Sequence, residues 1–293
     1  MITPQVKFKT ITKDFKNIRA LNSVNLSIPE NSIFGILGPN GSGKSTLMRI
    51  LAGLIRSWIG EIETMGNNYN SLNNQYIHQF GFLIESPSFY EHLSAIDNLK
   101  IFSRLTNDSK MVESVLDTVK LTERGSDKVK TYSYGMKQRL GLAQCLLHDP
   151  KILIIDEPNN GLDPSGIREM SKIINDLHKR GKTVCISTHI LSEVDALCTH
   201  AAVLKNGNLI STVELDHNYH AKQTFIIRSD NIHKYEEKLQ SMGLFNIKFI
   251  NQDSLLIQSS KLDDITLLKK VVSKSKTHVS LSEQSNLMEY FND

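Results

Sequence analysis

Near the N-terminus, apolar and polar positions alternate, as they do in strands whose successive side chains face opposite sides. Val6 and Phe8 share one face, and Val24, Leu26 and Ile28 share another. This predicts antiparallel strands. Residues 32–37 form a short apolar run closing on a glycine-rich turn, the pattern of a buried strand. Leu47, Leu51 and Leu54 then recur at i, i+4 and i+7, so a helix is predicted directly after the turn. From about His92 to His148 the period becomes helical throughout. Ser94 and Asp97 form a capping-box pattern ahead of a helix carrying Ile96, Leu99 and Phe102. A second helix carries Val112, Val115, Leu116 and Val119. A third runs from about Met136 through Leu140, Ala143 and Leu147 to Asp149, where Pro150 stops it.

Two nearly continuous apolar runs follow, at 152–155 and 184–186, with a helix from Gly166 to about Lys179 between them. This is a βαβ unit whose strands are covered on both faces. The polar stretch 217–223 predicts a boundary, dividing a first domain over 1–215 (helical subdomain about 90–148) from a second over 224–293. The remainder reads β (224–228), α (232–242), β (247–250), β (254–258), α (262–272), β (278–281) and a short terminal helix. That order is compatible with a small α+β ferredoxin-like domain. Its helices repeat at core spacing, with Ile232, Tyr235 and Leu239 in one and Ile265, Leu268 and Val272 in the other.

A chain of 293 residues suits one large domain and one small one. With 40% hydrophobic and 22% charged residues it reads as a soluble globular protein, which excludes a disordered or fibrous class. No apolar run approaches the roughly 18–20 residues that span a bilayer, and the start, MITPQVKFKT, shows no signal-peptide core. Cys145, Cys185 and Cys198 fit no metal or redox spacing and stand in apolar contexts, which predicts buried, reduced thiols in a cytoplasmic protein. A net charge of +3 is too mild to argue for nucleic acid.

Chemistry enters at the glycine-rich turn. Gly38-Pro39-Asn40-Gly41-Ser42-Gly43-Lys44-Ser45, followed by Thr46, fits the phosphate-binding pattern G-x-x-x-x-G-K-[ST]. Glycines let successive backbone N–H groups turn inward on a polyphosphate, and the following helix aims its positive end at the same charge. Lys44 supplies a point charge for the β- and γ-phosphates, and Ser45 a hydroxyl for Mg²⁺. The apolar run at 152–155 ends in Asp156 and Glu157, at a strand tip where α/β sheets present ligand-binding groups. Asp156 there suits Mg²⁺ through its water shell, and Glu157 suits a general base for the attacking water.

Together with Tyr132-Ser133-Tyr134-Gly135-Met136-Lys137-Gln138-Arg139, Asp156-Glu157-Pro158, Gly161-Leu162-Asp163 and Ser187-Thr188-His189, this loop resembles the motif series of ATP-binding cassette (ABC) nucleotide-binding subunits. The similarity covers about residues 2–215. It implies an α/β P-loop cassette whose mixed sheet core carries antiparallel β and helical subdomains, and an Mg²⁺-dependent ATPase. It implies Phe15 as the ring stacking on adenine and His189 as the switch histidine beside the γ-phosphate. It also implies head-to-tail pairing of two copies, or of close paralogues, with Ser133 and Gly135 of one facing ATP held by the other and Asp163 along the seam. Such a motor docks on a separately encoded transmembrane permease at the cytoplasmic face of a bacterial membrane, without nucleic acid.

Two positions depart from the family pattern. The signature, commonly L-S-G-G-Q, here carries Tyr134 and Met136, and Glu85 stands where a glutamine normally reaches Mg²⁺. Glu85, the ending Met-Lys-Gln-Arg and the extra domain resemble bacitracin-resistance, lantibiotic-immunity and related peptide exporters. The resemblance therefore implies Glu85 at the metal, or paired with a basic residue of the permease. Two alternatives remain: a catalytically weak nucleotide-binding regulator, and a soluble ABC factor acting on nucleic acid or ribosomes.

Overall fold

The computed structural model describes residues 4–68, 77–104, 111–215, 223–229, 232–233, 239, 246–251, 253–259 and 279–284. The chain divides into two compact units, Met1–Glu214 and Leu215–Asp293.

In the first unit, β1 (Pro4–Phe15) and β2 (Ile18–Pro29) form a long antiparallel hairpin, and β4 (Ile59–Thr64) and β5 (Asn67–Asn68) extend it into a sheet of order β2-β1-β4-β5. The alternation read from sequence holds: Val6, Phe8, Leu26 and Ile28 all face the core. A second sheet has the order β10-β9-β3-β8-β7-β6, built from β3 (Ile33–Leu37), β6 (Phe80–Leu83), β7 (Ile152–Ile155), β8 (Thr183–Thr188), β9 (His200–Lys205) and β10 (Asn208–Glu214). β6, β7, β8, β3 and β9 run parallel, with β10 antiparallel at the edge.

All five residues of β3 are buried, and period two divides them between faces. Phe34 and Ile36 join the cluster shared with the hairpin and with α1 (Lys44–Leu51). Gly35 points the other way, where an added methyl would lie 2.9 Å from Cys198 Sγ, at the end of α6 (Leu191–Leu197). β3 is therefore clamped on both faces. It is also where the sheet changes direction: the chain returns from β6 through β7 to β8 beside β3, and then crosses to β9 on the other side. The loop leaving its carboxyl end occupies the crevice where open α/β sheets bind ligands.

The helical region contains α2 (Ala95–Ser103), α3 (Met111–Thr118) and α4 (Tyr134–Leu146), and α5 (Pro164–Lys179) crosses from β7 to β8. Ser94 caps α2 by accepting from the Asp97 amide at 3.0 Å, as the sequence pattern predicts. Two helix ends differ from the expectation. α1 stops at Leu51 because Gly53 takes a left-handed backbone (φ 71°) and the amides of Gly53 and Leu54 turn back to Ile50 and Arg49. Leu54, placed by spacing on the buried face, is consequently 68% exposed. α4 begins at Tyr134 rather than Met136 because Ser133 is its cap, and it ends at Leu146 in a turn that leads to Asp149 and Pro150. Cys145, Cys185 and Cys198 are buried and unbridged. Burial pushes the Cys145 thiol up to about 12, and the other two higher still.

In the second unit, β11 (Gln223–Ser229), β12 (Asn246–Asn251), β13 (Ser254–Ser259) and β14 (Val279–Gln284) form an antiparallel sheet of order β12-β13-β11-β14. In chain order this is 2-3-1-4, the strand order of a split βαβ arrangement. Ile232 and Leu239 are buried. Tyr235, Ile265, Leu268 and Val272, and most of the two helices expected there, lie outside the described residues.

Candidate functional site

Parallel registry brings the motifs together. Leu37 pairs with Thr188, Leu83 with Ile155, and Ile155 with Ile186. Gly38, Glu85, Asp156, Glu157 and His189 thus all follow the carboxyl ends of neighbouring strands.

Gly38 and Gly43 fix the phosphate loop by what they lack. A Cβ on Gly38 would stand 2.2 Å from the Leu204 carbonyl, and one on Gly43 (φ 106°) 2.7 Å from both Ala20 O and Leu21 Cδ2. Gly207 N–H donates to Ser42 O at 3.0 Å from the β9–β10 turn. The loop is therefore wedged between β2 and that turn. α1 starts at Gly43 without a side-chain cap, so its first-turn N–H groups remain available to an anion. Ser42 Oγ, nearby and buried, has no hydrogen-bond partner. Lys44, 5% exposed, donates to the carbonyls of Gly38 (2.8 Å) and Pro39 (3.2 Å), and its ammonium lies 3.6 Å from Glu157 Oε1. A cleft of about 500 Å³ opens here, lined by Ile18 to Ala20, Asn40 to Thr46, Arg49, Glu157 and Asn206.

Glu157 joins the two halves of the site. Its backbone is left-handed (φ 49°), a strained conformation for a side-chain-bearing residue, and costs about 1 kcal/mol or more. The turn swings its carboxylate between Lys44 and His189, whose Nδ1 lies 2.8 Å from Glu157 Oε2. Sequence reasoning missed the residue that orients both acids. Ser187 Oγ donates to Asp156 Oδ1 in a short hydrogen bond and accepts from the Glu157 amide at 2.9 Å. Its signal was the parallel registry, since pairing Ile155 with Ile186 places Ser187 beside Asp156.

Other expected residues lie apart from the cleft. Phe15 is 44% exposed at the β1–β2 turn, outside the cleft lining, with the Lys13 ammonium 4.6 Å from its ring centroid. Ile18 is the larger of the two apolar side chains of this hairpin, with Ala20, that line the cleft. Glu85, also in left-handed backbone (φ 71°), gives its carboxylate to Arg49 of α1 at 2.6 Å and does not line the cleft. The partner observed for Glu85 is a basic residue of its own chain. Ser133 and Asp163 are helix caps: Ser133 accepts from the Met136 amide at 3.2 Å, and Asp163 from the Gly166 amide at 3.0 Å. Neither lines the cleft. Gly135 packs against Leu162. Among the described residues, no group of three or more His, Cys, Asp or Glu is arranged to hold a metal ion.

Residues 21–160 match the family described as ABC transporter. The lantibiotic transport ATP-binding protein SrtF of Streptococcus pyogenes is 38% identical over 75% of this chain and 95% of its own length. This chain belongs to the ABC transporter ATP-binding proteins. The bacitracin transport ATP-binding protein BcrA of Bacillus licheniformis is 39% identical over 72% of this chain and 70% of its own. Among solved structures, a dimeric ATP-binding cassette in a post-hydrolysis state bound to ADP and Pi matches with TM-score 0.64 and 26% identity, over 72% of this chain and 99% of that one. The chain is an ABC ATPase with a nucleotide-binding cassette, and the resemblance seen in its motifs holds for family, fold and enzyme class. Among the described residues, no helix is long and apolar enough to cross a membrane.

Proposed function

We propose that this chain is the motor of a peptide exporter, working as two copies docked on a separate transmembrane permease and exporting antibiotics of the bacitracin or lantibiotic kind. The cargo class rests on BcrA and SrtF, and the docking on the transporter family to which the cassette belongs. The observation that carries the catalytic part is the convergence of Lys44, Glu157 and His189 across neighbouring strand tips.

A triphosphate entering the cleft meets the uncapped start of α1 and the Lys44 ammonium. Its charge competes with Glu157 for Lys44 and releases the carboxylate toward water, for which Glu157 is the general base. His189 holds Glu157 by Nδ1, leaving Nε2 to face the γ-phosphate. Ser45, in the cleft lining, and Asp156, at the neighbouring strand tip, are the residues that would hold a nucleotide-borne Mg²⁺. When bound, such an ion would supply neutralisation of phosphate charge. Ser133 and Gly135 act on nucleotide held by the second copy, with Asp163 along the seam, so that cleavage loosens the pair. Phe15 or Ile18 contacts the base.

The test is Glu157→Gln in the full chain with MgATP. Turnover falls about 100-fold or more, the usual contribution of a positioned base. The variant then accumulates as an ATP-dependent dimer in light scattering. Wild-type turnover, or a variant that stays monomeric at saturating MgATP beside its permease, overturns the reading.

A further inference from the structure

Three segments singled out by sequence for different reasons meet at one side chain, that of Tyr134. Its ring lies against Gly161, where an added methyl would stand 3.1 Å from Tyr134 Cε1. Its phenol oxygen accepts from Gln138 Nε2 at 3.0 Å and lies 3.3 Å from Ser86 Oγ. Gln138, one turn further along α4, is 4% exposed and therefore a fixed anchor. Ser86 directly follows Glu85, which holds Arg49 at the wall of the nucleotide cleft. An unbroken series of contacts thus runs from Arg49 through Glu85 and Ser86 to Tyr134.

We propose that Tyr134 is a positioning residue that couples the Glu85–Ser86 loop to the signature end of α4 through its phenol hydroxyl. The hydroxyl has one proton and accepts from Gln138, so its proton is available to Ser86 Oγ. Tyr134 lies between Ser133 and Gly135, and its rigid ring leaves few torsions to absorb a displacement. A shift of Ser86 therefore reaches the backbone groups on either side of it. The ring against Gly161 passes the same shift to the loop before α5. The residue that departs most in size from the common signature acts as the strut between two loops.

This rests on the reading that Ser133 and Gly135 act on nucleotide held by a second copy. The experiment measures steady-state ATP turnover with Mg²⁺ in the full chain for Tyr134→Phe, Ser86→Ala and the double variant. Each single substitution lowers kcat ~3- to 10-fold, the scale of one ordinary hydrogen bond, and leaves KM for ATP within about twofold, because the phosphate-loop cleft is untouched. The double variant is no slower than the slower single. Tyr134→Phe also strips a partner from the buried Gln138 amide, so Ser86→Ala, with an unchanged melting midpoint, is the cleaner arm. An unchanged kcat in either single variant, a shift in KM instead of kcat, or effects that multiply in the double variant overturns the role of Tyr134. Loss of MgATP-dependent dimerisation in Glu157→Gln would overturn the two-copy reading and this proposal with it. Dimerisation that persists while the cycle multiplies removes Tyr134 alone.

Discussion

The phosphate loop and the signature are both glycine-containing turns that open a helix, yet their glycines answer to different constraints. At Gly38 a side chain is forbidden by the chain itself, because a methyl would collide with the Leu204 carbonyl at 2.2 Å. At Gly135 the nearest atom to an added methyl is Leu162 Cδ2 at 3.4 Å, an ordinary contact. Glycine in a helix is about 1 kcal/mol less favourable than alanine, so within this chain Gly135 is a small loss with no internal gain. The phosphate loop is complete in one molecule, with a buried Lys44 held by its own carbonyls. The signature differs: Ser133 is exposed, and its oxygen caps its own helix by accepting from the Met136 amide. Within the chain nothing near Gly135 demands a glycine, which fits the proposal that a second copy does.

Paired substitutions break or sharpen this comparison. Gly38→Ala has the largest effect, since overpacking against backbone cannot relax by a rotamer change. We expect a loss of about 3 kcal/mol or more of stability in denaturant unfolding, together with loss of ATP binding. Gly135→Ala is its opposite. Unfolding free energy stays level or rises by up to about 1 kcal/mol, while turnover falls at least ~10-fold because a methyl meets the partner's phosphate. Parallel losses of stability in both variants would end the distinction. Ser133→Ala comes next, costing about 1 kcal/mol of helix capping. Mixed with an excess of Lys44→Ala chains, it should recover partial turnover, because each mixed pair keeps one intact phosphate loop facing one intact signature.

The same contrast explains what the sequence made legible. The phosphate loop, the strand tips and His189 are local in sequence, and the registry of a parallel sheet assembles them without further choice. Ser187 is named in a motif, but its hold on the two acids depends on pairing between β7 and β8, which no spacing within one strand reveals. Leu54 was misplaced because i, i+7 spacing outweighed the stop signal of Gly53. Phe15 and Glu85 were placed by family position. Their neighbours, Lys13 at Phe15 and Arg49 at Glu85, are contacts that position within a motif does not reveal. The strands of the second unit were legible where residues alternate, and their 2-3-1-4 order is compatible with the β-α-β-β-α-β reading.

The Glu85–Arg49 pair gives the smallest expected effect and the finest test. Both side chains are partly exposed, 67% and 38%, so the pair contributes only ~0.2–1 kcal/mol to stability. A double-mutant cycle of Glu85→Gln and Arg49→Gln in denaturant unfolding should return a coupling in that range, and a smaller one at high salt because solvent ions screen exposed charges. The same cycle in turnover should be the larger of the two, because Arg49 lines the nucleotide cleft while Glu85 lies on the loop leading to Tyr134. Equal coupling in both measurements would make the pair a surface ion pair and nothing more. The phosphate loop would then be self-contained in function as well as in structure, and the signature would receive no message from it through its own chain.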